Sequence, residues 1–121
     1  MRIRLLSTAA SVAALLSVLA IPTAQAASHG ADMIAKGKAI SFHRKKGNCL
    51  TCHMMAGGEA PGNIGPPLIA MKARFPDKKV LRDQIWDSTQ NNPGSMMPPF
   101  GKHNILTEEE IDAVVEFVHS L

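Results

Sequence analysis

Cys49-Leu50-Thr51-Cys52-His53 is the stretch on which the reading of this chain turns. Two thiols at this separation can reach the two vinyl groups on one edge of a porphyrin and close thioether bonds. C-x-x-C-H is the attachment spacing of a c-type haem. His53, next in the chain, can then offer an imidazole nitrogen to the iron. The chain has 2 cysteines, and the motif uses both. A zinc site would need two further good ligands, and His103 and His119 are too far apart for zinc-finger spacing. A thioredoxin-like redox pair would need a βαβ context, and no strand pattern surrounds the motif.

Upstream, residues 1–26 read as a secretory signal peptide. Arg2 and Arg4 form a positive start, Leu5 to Ile21 is almost wholly apolar or small, and Ala24-Gln25-Ala26 is an A-x-A cleavage site. The apolar run is near the length of a membrane span, roughly 18 residues, but it is rich in Ala and Ser and a cleavage site follows. Export to the periplasm is therefore expected, with residues 27–121 forming one mono-haem domain. A domain that small is marginal without extra apolar surface to pack against, so the apo chain is expected to fold poorly. The formal charge of +3 drops to +1 on processing, because Arg2 and Arg4 leave with the leader while all 10 acids stay. That gives no argument for nucleic acid. The distribution says more: Arg44-Lys45-Lys46 precedes the haem motif, and Glu108-Glu109-Glu110 opens an acidic C-terminal segment.

Three helices and no strand pair are expected, an all-α domain. The first covers about 30–45, with Met33, Ile34, Gly37 and Ile40 on one face. Gly37 there suggests a close helix crossing. Residues 56–68 form a Gly/Pro loop. The second helix runs from about Asp77 to Gln90, with Val80, Leu81, Ile85 and Ser88 inward and Trp86 in the core. The last begins with a capping box, Thr107 and Glu110, and carries an apolar stripe of Ile111, Val114, Val115, Val118 and Leu121.

A haem iron held by His53 has a second axial position. Met54 and Met55 follow His53 too closely to reach the far side, and Met71 stands just past a loop that should cover the His53 side. Met96 and Met97 lie beyond a whole helix. Met97 precedes Pro98-Pro99, which fix φ and hold the residue before them extended. Met97 is the expected ligand, with Met96 or a histidine as the alternatives. On the other face, a carbonyl within Gly65-Pro66-Pro67-Leu68 can orient the His53 ring.

The haem motif, the Gly-Pro-x-Leu loop, the Met97-Pro98-Pro99-Phe100 loop and the C-terminal helix together resemble the class I c-type cytochromes. More narrowly, Arg44–Cys49, Gly57-Gly58-Glu59, Pro61-Gly62-Asn63-Ile64-Gly65-Pro66-Pro67-Leu68 and Met97–Gly101 resemble the SoxX family, small mono-haem subunits of the SoxAX thiosulfate-oxidising cytochromes. The resemblance implies a class I cytochrome c fold and one covalent haem c on Cys49 and Cys52. It implies His53 as proximal ligand, Met97 as distal ligand and the Pro66 carbonyl as the acceptor that orients His53. It departs from the pattern at Ser41, where many class I cytochromes have an aromatic; Phe42 follows, and the crossing of first and last helices is expected to pack differently, with Phe117. The partners implied are a larger SoxA-type cytochrome subunit, the sulfur carrier SoxYZ through that complex, and a small cytochrome c downstream. The pair is an L-cysteine S-thiosulfotransferase in which this subunit accepts electrons and has no activity alone. A free periplasmic shuttle is the competing reading.

Overall fold

The computed structural model describes residues 23–121. The leader expected over 1–26 lies outside them but for its last positions. Helix α1, Thr23–Phe42, crosses α4, Glu108–His119, and this pair forms the centre of the domain. Gly37 sits at the crossing. A Cβ there would lie 2.5 Å from the carbonyl carbon of Ala113 and 2.9 Å from Phe117 Cβ. Only a residue without a side chain lets the two backbones approach this far. Ser41 is buried, and the aromatic contact shifts one place along: Phe42 meets Phe117 edge-on, centroids 5.9 Å apart at 72°.

Helix α4 starts as its sequence dictates. Thr107 accepts from the Glu110 amide at 3.2 Å, and the Glu110 carboxylate accepts from the Thr107 amide at 3.2 Å. Three acids occupy the first turn, where the helix dipole favours them. Its inward stripe is wider than the sequence pattern suggests, with Ala113 and Phe117 buried beside Ile111, Val114, Val115 and Val118.

Helix α1 begins earlier than expected and stops at Phe42, so Arg44-Lys45-Lys46 lies in a turn instead of a helix end. Both Lys46 and Asn48 donate their amides to the His43 carbonyl, and Asn48 takes a left-handed conformation, φ 48°. These bonds wrap the chain straight into a short 3-10 helix, Cys49–Thr51. The second expected helix is also shorter. Helix α3 spans Lys78–Trp86, capped by Asp77, whose side chain accepts from the Lys79 amide at 2.8 Å. Asp87 ends it: its carboxylate takes the Thr89 amide and hydroxyl, so the backbone tightens into a 3-10 turn, Ser88–Gln90. Leu81, Ile85 and Ser88 face inward as expected, but Val80 is 51 % exposed, being off the stripe that those residues define.

One element was not anticipated. A single turn, α2 (Met71–Arg74), follows Ala70 at φ 51° and buries Met71 completely. Among the described residues the only β pairing is an isolated bridge between Met55 and Leu68, and no helix is long and apolar enough to cross a membrane.

Candidate functional site: a haem cavity between α3, α4 and two proline loops

The 3-10 turn at Cys49 and the loop after it stand over the inner faces of α3 and α4. Between them lies a cavity of about 820 Å³. That is within the range of cofactor pockets, roughly 300–1,000 Å³. Cys49, Cys52 and His53 line one part of it, Met97 with Pro98 another, and core side chains such as Leu81, Ile85, Val114 and Val118 the floor. The cavity is thus a cleft with an apolar floor that opens to solvent past Ile64, Met96 and Ile105.

His53 is held in one orientation. Its Nδ1–H donates to the Pro66 carbonyl oxygen at 2.7 Å. A carbonyl can only accept, so the proton sits on Nδ1 and the Nε2 lone pair is free for a metal. Gly65 makes room for the ring, since a Cβ there would lie 2.6 Å from Nδ1. Its amide donates to the Cys52 carbonyl at 2.8 Å, which binds the loop to the haem motif. The Pro66 loop is anchored from its other side by Arg74 Nη1, which donates to the Pro67 carbonyl at 2.8 Å.

Across the cavity, the methionine segment is clamped by its backbone. Ser88 Oγ donates to the Met97 carbonyl at 2.7 Å, and the Met97 amide donates to Ser95 Oγ at 3.2 Å. A few residues on, the Phe100 and Gly101 amides donate to the carbonyls of Ile85 and Trp86. Met97 packs partly buried against the core while Met96 is 77 % exposed at the rim. Met71, also on the wall, is fully buried with its sulfur engaged by Arg74 Nη1 at 3.3 Å. Among the described residues no histidine but His53 lines the cavity. His119 Nε2–H donates to the Phe75 carbonyl oxygen at 3.2 Å, and His43 Nδ1 accepts from the Lys45 amide.

The electrostatics also separate the two readings of the cysteine pair. Burial pushes the Cys49 thiol above its ordinary value, against the pull of the Ser41 hydroxyl and a backbone amide. A redox-active C-x-x-C pair needs the opposite, a lowered value and a ready thiolate. No cluster of three His, Cys, Asp or Glu stands together among the described residues. The fit to haem is better on every count: paired thiols, a single-tautomer imidazole and a large apolar hollow.

Sequence reasoning missed the supports beneath the site. Asp87 is 3 % exposed and holds Lys102 Nζ at 2.8 Å together with Thr89. Chiefly through the Lys102 and Thr89 side chains, its carboxyl is lowered to about 2. Lys46 pairs with Glu110, tying the turn before Cys49 to the first turn of α4. The signal available was faint: a serine and an aspartate just after a helical run.

Residues 34–121 match the family model of cytochrome c. An uncharacterized lipoprotein of Aquifex aeolicus (strain VF5) is 39 % identical over 79 residues, which cover 62 % of this chain and 37 % of that protein. The chain thus spans little more than a third of the length of that relative. The cavity with its C-x-x-C-H wall, the all-α frame and the match over most of the chain agree: this is a member of the cytochrome c family, a class I domain whose cofactor is covalently bound haem c.

Proposed function

We propose that this protein is the electron-accepting subunit of a thiosulfate-conjugating cytochrome pair, the SoxX partner of a SoxA-type chain, working in the periplasm. In this reading Cys49 and Cys52 would hold the haem, and His53 Nε2 and Met97 Sδ would bind its iron. The haem would supply a one-electron change at iron, at the high potential that Met/His ligation favours. The chain's own residues do the rest. Pro66 fixes the imidazole, Ser88 and Ser95 hold the Met97 backbone, and the apolar floor keeps water away.

The observation that carries the electron-transfer reading is the placement of Cys49, Cys52, His53 and Met97 on the wall of one apolar cavity. The narrower sulfur reading is supported by the Pro61–Leu68 loop sequence and by the supply of thiols: the chain has no third cysteine to carry a sulfur adduct. In the paired reaction a carrier cysteine thiol on SoxYZ and thiosulfate form a sulfur–sulfur bond, releasing one proton and two electrons. The bond is made on the larger subunit, and the electrons leave one at a time through this chain to a small cytochrome c. The leader over 1–26 and the lipoprotein relative support a place outside the cytoplasm.

Co-expression with the larger subunit and native mass spectrometry test the proposal. The expected result is one haem on this chain, a one-to-one pair, and reduction by thiosulfate only when partner and carrier are both present. A chain that stays monomeric beside the larger subunit, yet exchanges electrons with an oxidase, would leave the free shuttle in its place. Fast thiosulfate oxidation by this chain alone would exclude the subunit role.

A further inference from the structure

Met97 belongs to a segment that cannot hold itself. Pro98 and Pro99 have no N–H to give, so the backbone beyond Met97 makes no amide bond until Phe100. It depends on anchors at its two ends. Before the prolines, Ser88 Oγ donates to the Met97 carbonyl at 2.7 Å. After them, the Phe100 amide donates to the Ile85 carbonyl at 3.3 Å. The Gly101 and Lys102 amides donate to the Trp86 carbonyl at 3.1 and 3.2 Å. Those carbonyls are among the last of α3, which a helix leaves unsatisfied. The methionine loop is therefore also the C-terminal cap of α3.

Asp87 reaches both anchors. It is buried, and a buried charge is kept where it is paired. Its Oδ1 accepts from the Thr89 hydroxyl and, at 3.1 Å, from the Thr89 amide, bonds that shape the 3-10 turn carrying Ser88. Its Oδ2 accepts from Lys102 Nζ at 2.8 Å, at the far end of the loop. One carboxylate thus joins the turn that grips Met97 to the residue that closes the loop behind it. Among the described residues no other ion pair involves the methionine loop. We propose that the Asp87–Lys102 pair is the latch of this loop, and that Asp87 is a positioning residue which keeps the Met97 sulfur available to the haem iron by fixing the backbone on both sides of it. The inference rests on the reading of Met97 as an iron ligand. With the latch intact the thioether leaves and returns on a fixed backbone. With the latch broken the loop gains freedom, and the sulfur spends more time away.

The test uses the purified ferrous holoprotein and carbon monoxide, whose binding rate reads how often the Met97 sulfur is away. Asp87→Asn removes the buried charge. Lys102→Met removes its partner at a half-exposed side chain, so this variant should fold even if the first does not. Each should bind CO roughly tenfold faster than the wild type, as suits the loss of a hydrogen bond to a charged group. The double variant should be no faster than either, since both changes break one interaction. Lys102→Arg should restore the wild-type rate. Lys79→Ala, which breaks an exposed pair with Asp83 on the same helix, should leave the rate unchanged. Wild-type CO rates in both latch variants, accompanied only by a lower Tm, would overturn the proposal, because the pair would then be merely structural. So would a fast Asp87→Asn beside an unchanged Lys102→Met, which would leave Asp87 acting through Thr89 alone. A far-red ferric band that survives in Met97→Ala would instead refute the reading of Met97 on which the inference rests.

Discussion

At the scale of single residues, the two neighbouring methionines make the sharpest contrast. Met97 is part of the cavity wall with both backbone polar groups tied down, and Met96 points outward. Met97→Ala should leave haem attached but abolish the far-red sulfur-to-iron band of the ferric protein, lower the potential and admit CO to the ferrous form. Met96→Ala should do none of these, and absorption spectroscopy of the two variants decides between them. Ser88→Ala should give an intermediate result, with the far-red band present but lost at lower temperature than in the wild type, because the Met97 carbonyl loses its anchor. Asp87 makes a pH prediction. Its folded carboxyl titrates at about 2, below the ordinary value, so its contribution to stability is in place above about pH 4 and disappears as pH falls through about 2. Asp87→Asn should flatten the acid limb of a stability-versus-pH curve in that window. The C-x-x-C-H wall of the cavity was legible because covalent attachment demands a fixed spacing. Asp87, Ser88 and Arg74 were not, because their roles depend on which loop comes back to them, and that is a matter of tertiary path.

At the scale of elements, helix identities could be read but their ends could not. The apolar period of α4 and its capping box are local, and local signals survive folding. The end of α3 is set by a competition between backbone and side-chain hydrogen bonds at Asp87, which propensity alone does not resolve. Helix α2 escaped because a single turn has no period to detect. The close approach expected of Gly37 is found, and it carries a cost if filled. Gly37→Ala should destabilise the domain by about 2–3 kcal/mol through overpacking against Ala113, despite alanine's better helix propensity. For a domain this size that is a fall in Tm of roughly 10–20 °C, measurable by thermal melting. Ala70 makes the opposite case. It holds a left-handed conformation that costs an L-residue about 1–2 kcal/mol. Ala70→Gly should raise stability by about 0.5–1 kcal/mol after the entropy of the freer unfolded chain is subtracted, which chemical denaturation can resolve.

At the scale of the molecule, three of the six large apolar residues exposed among the described residues border the opening of the cavity. Ile64 is 60 % exposed, and Met96 and Ile105 stand with it on the rim. Arg44 and Lys45 border the same opening, with Lys46 drawn aside to Glu110. Contiguous exposed apolar surface on a small protein marks a contact site. On the proposed paired reading, Ile64→Asp should weaken binding to the larger subunit at least tenfold in a titration, with the haem spectrum unchanged. Lys78, paired with Glu116 on another face, should tolerate Lys78→Ala with no change in affinity. The same architecture predicts that the fold depends on the cofactor. A core whose α3 and α4 residues line a hollow of this size has few contacts to spare, so a Cys49→Ser/Cys52→Ser chain should lack a cooperative melt by circular dichroism.

The hydrogen bond from His53 to Pro66 has a practical consequence for anyone dissecting this protein by mutation. The acceptor is a main-chain oxygen, present whatever residue occupies position 66. Pro66→Ala removes a ring and keeps the acceptor, so it should pass almost unnoticed. Gly65→Ala, a smaller chemical change, pushes a methyl into the imidazole. An alanine scan of this loop would therefore rank the glycine as critical and the proline as dispensable. It would find no trace of the polar contact that orients His53.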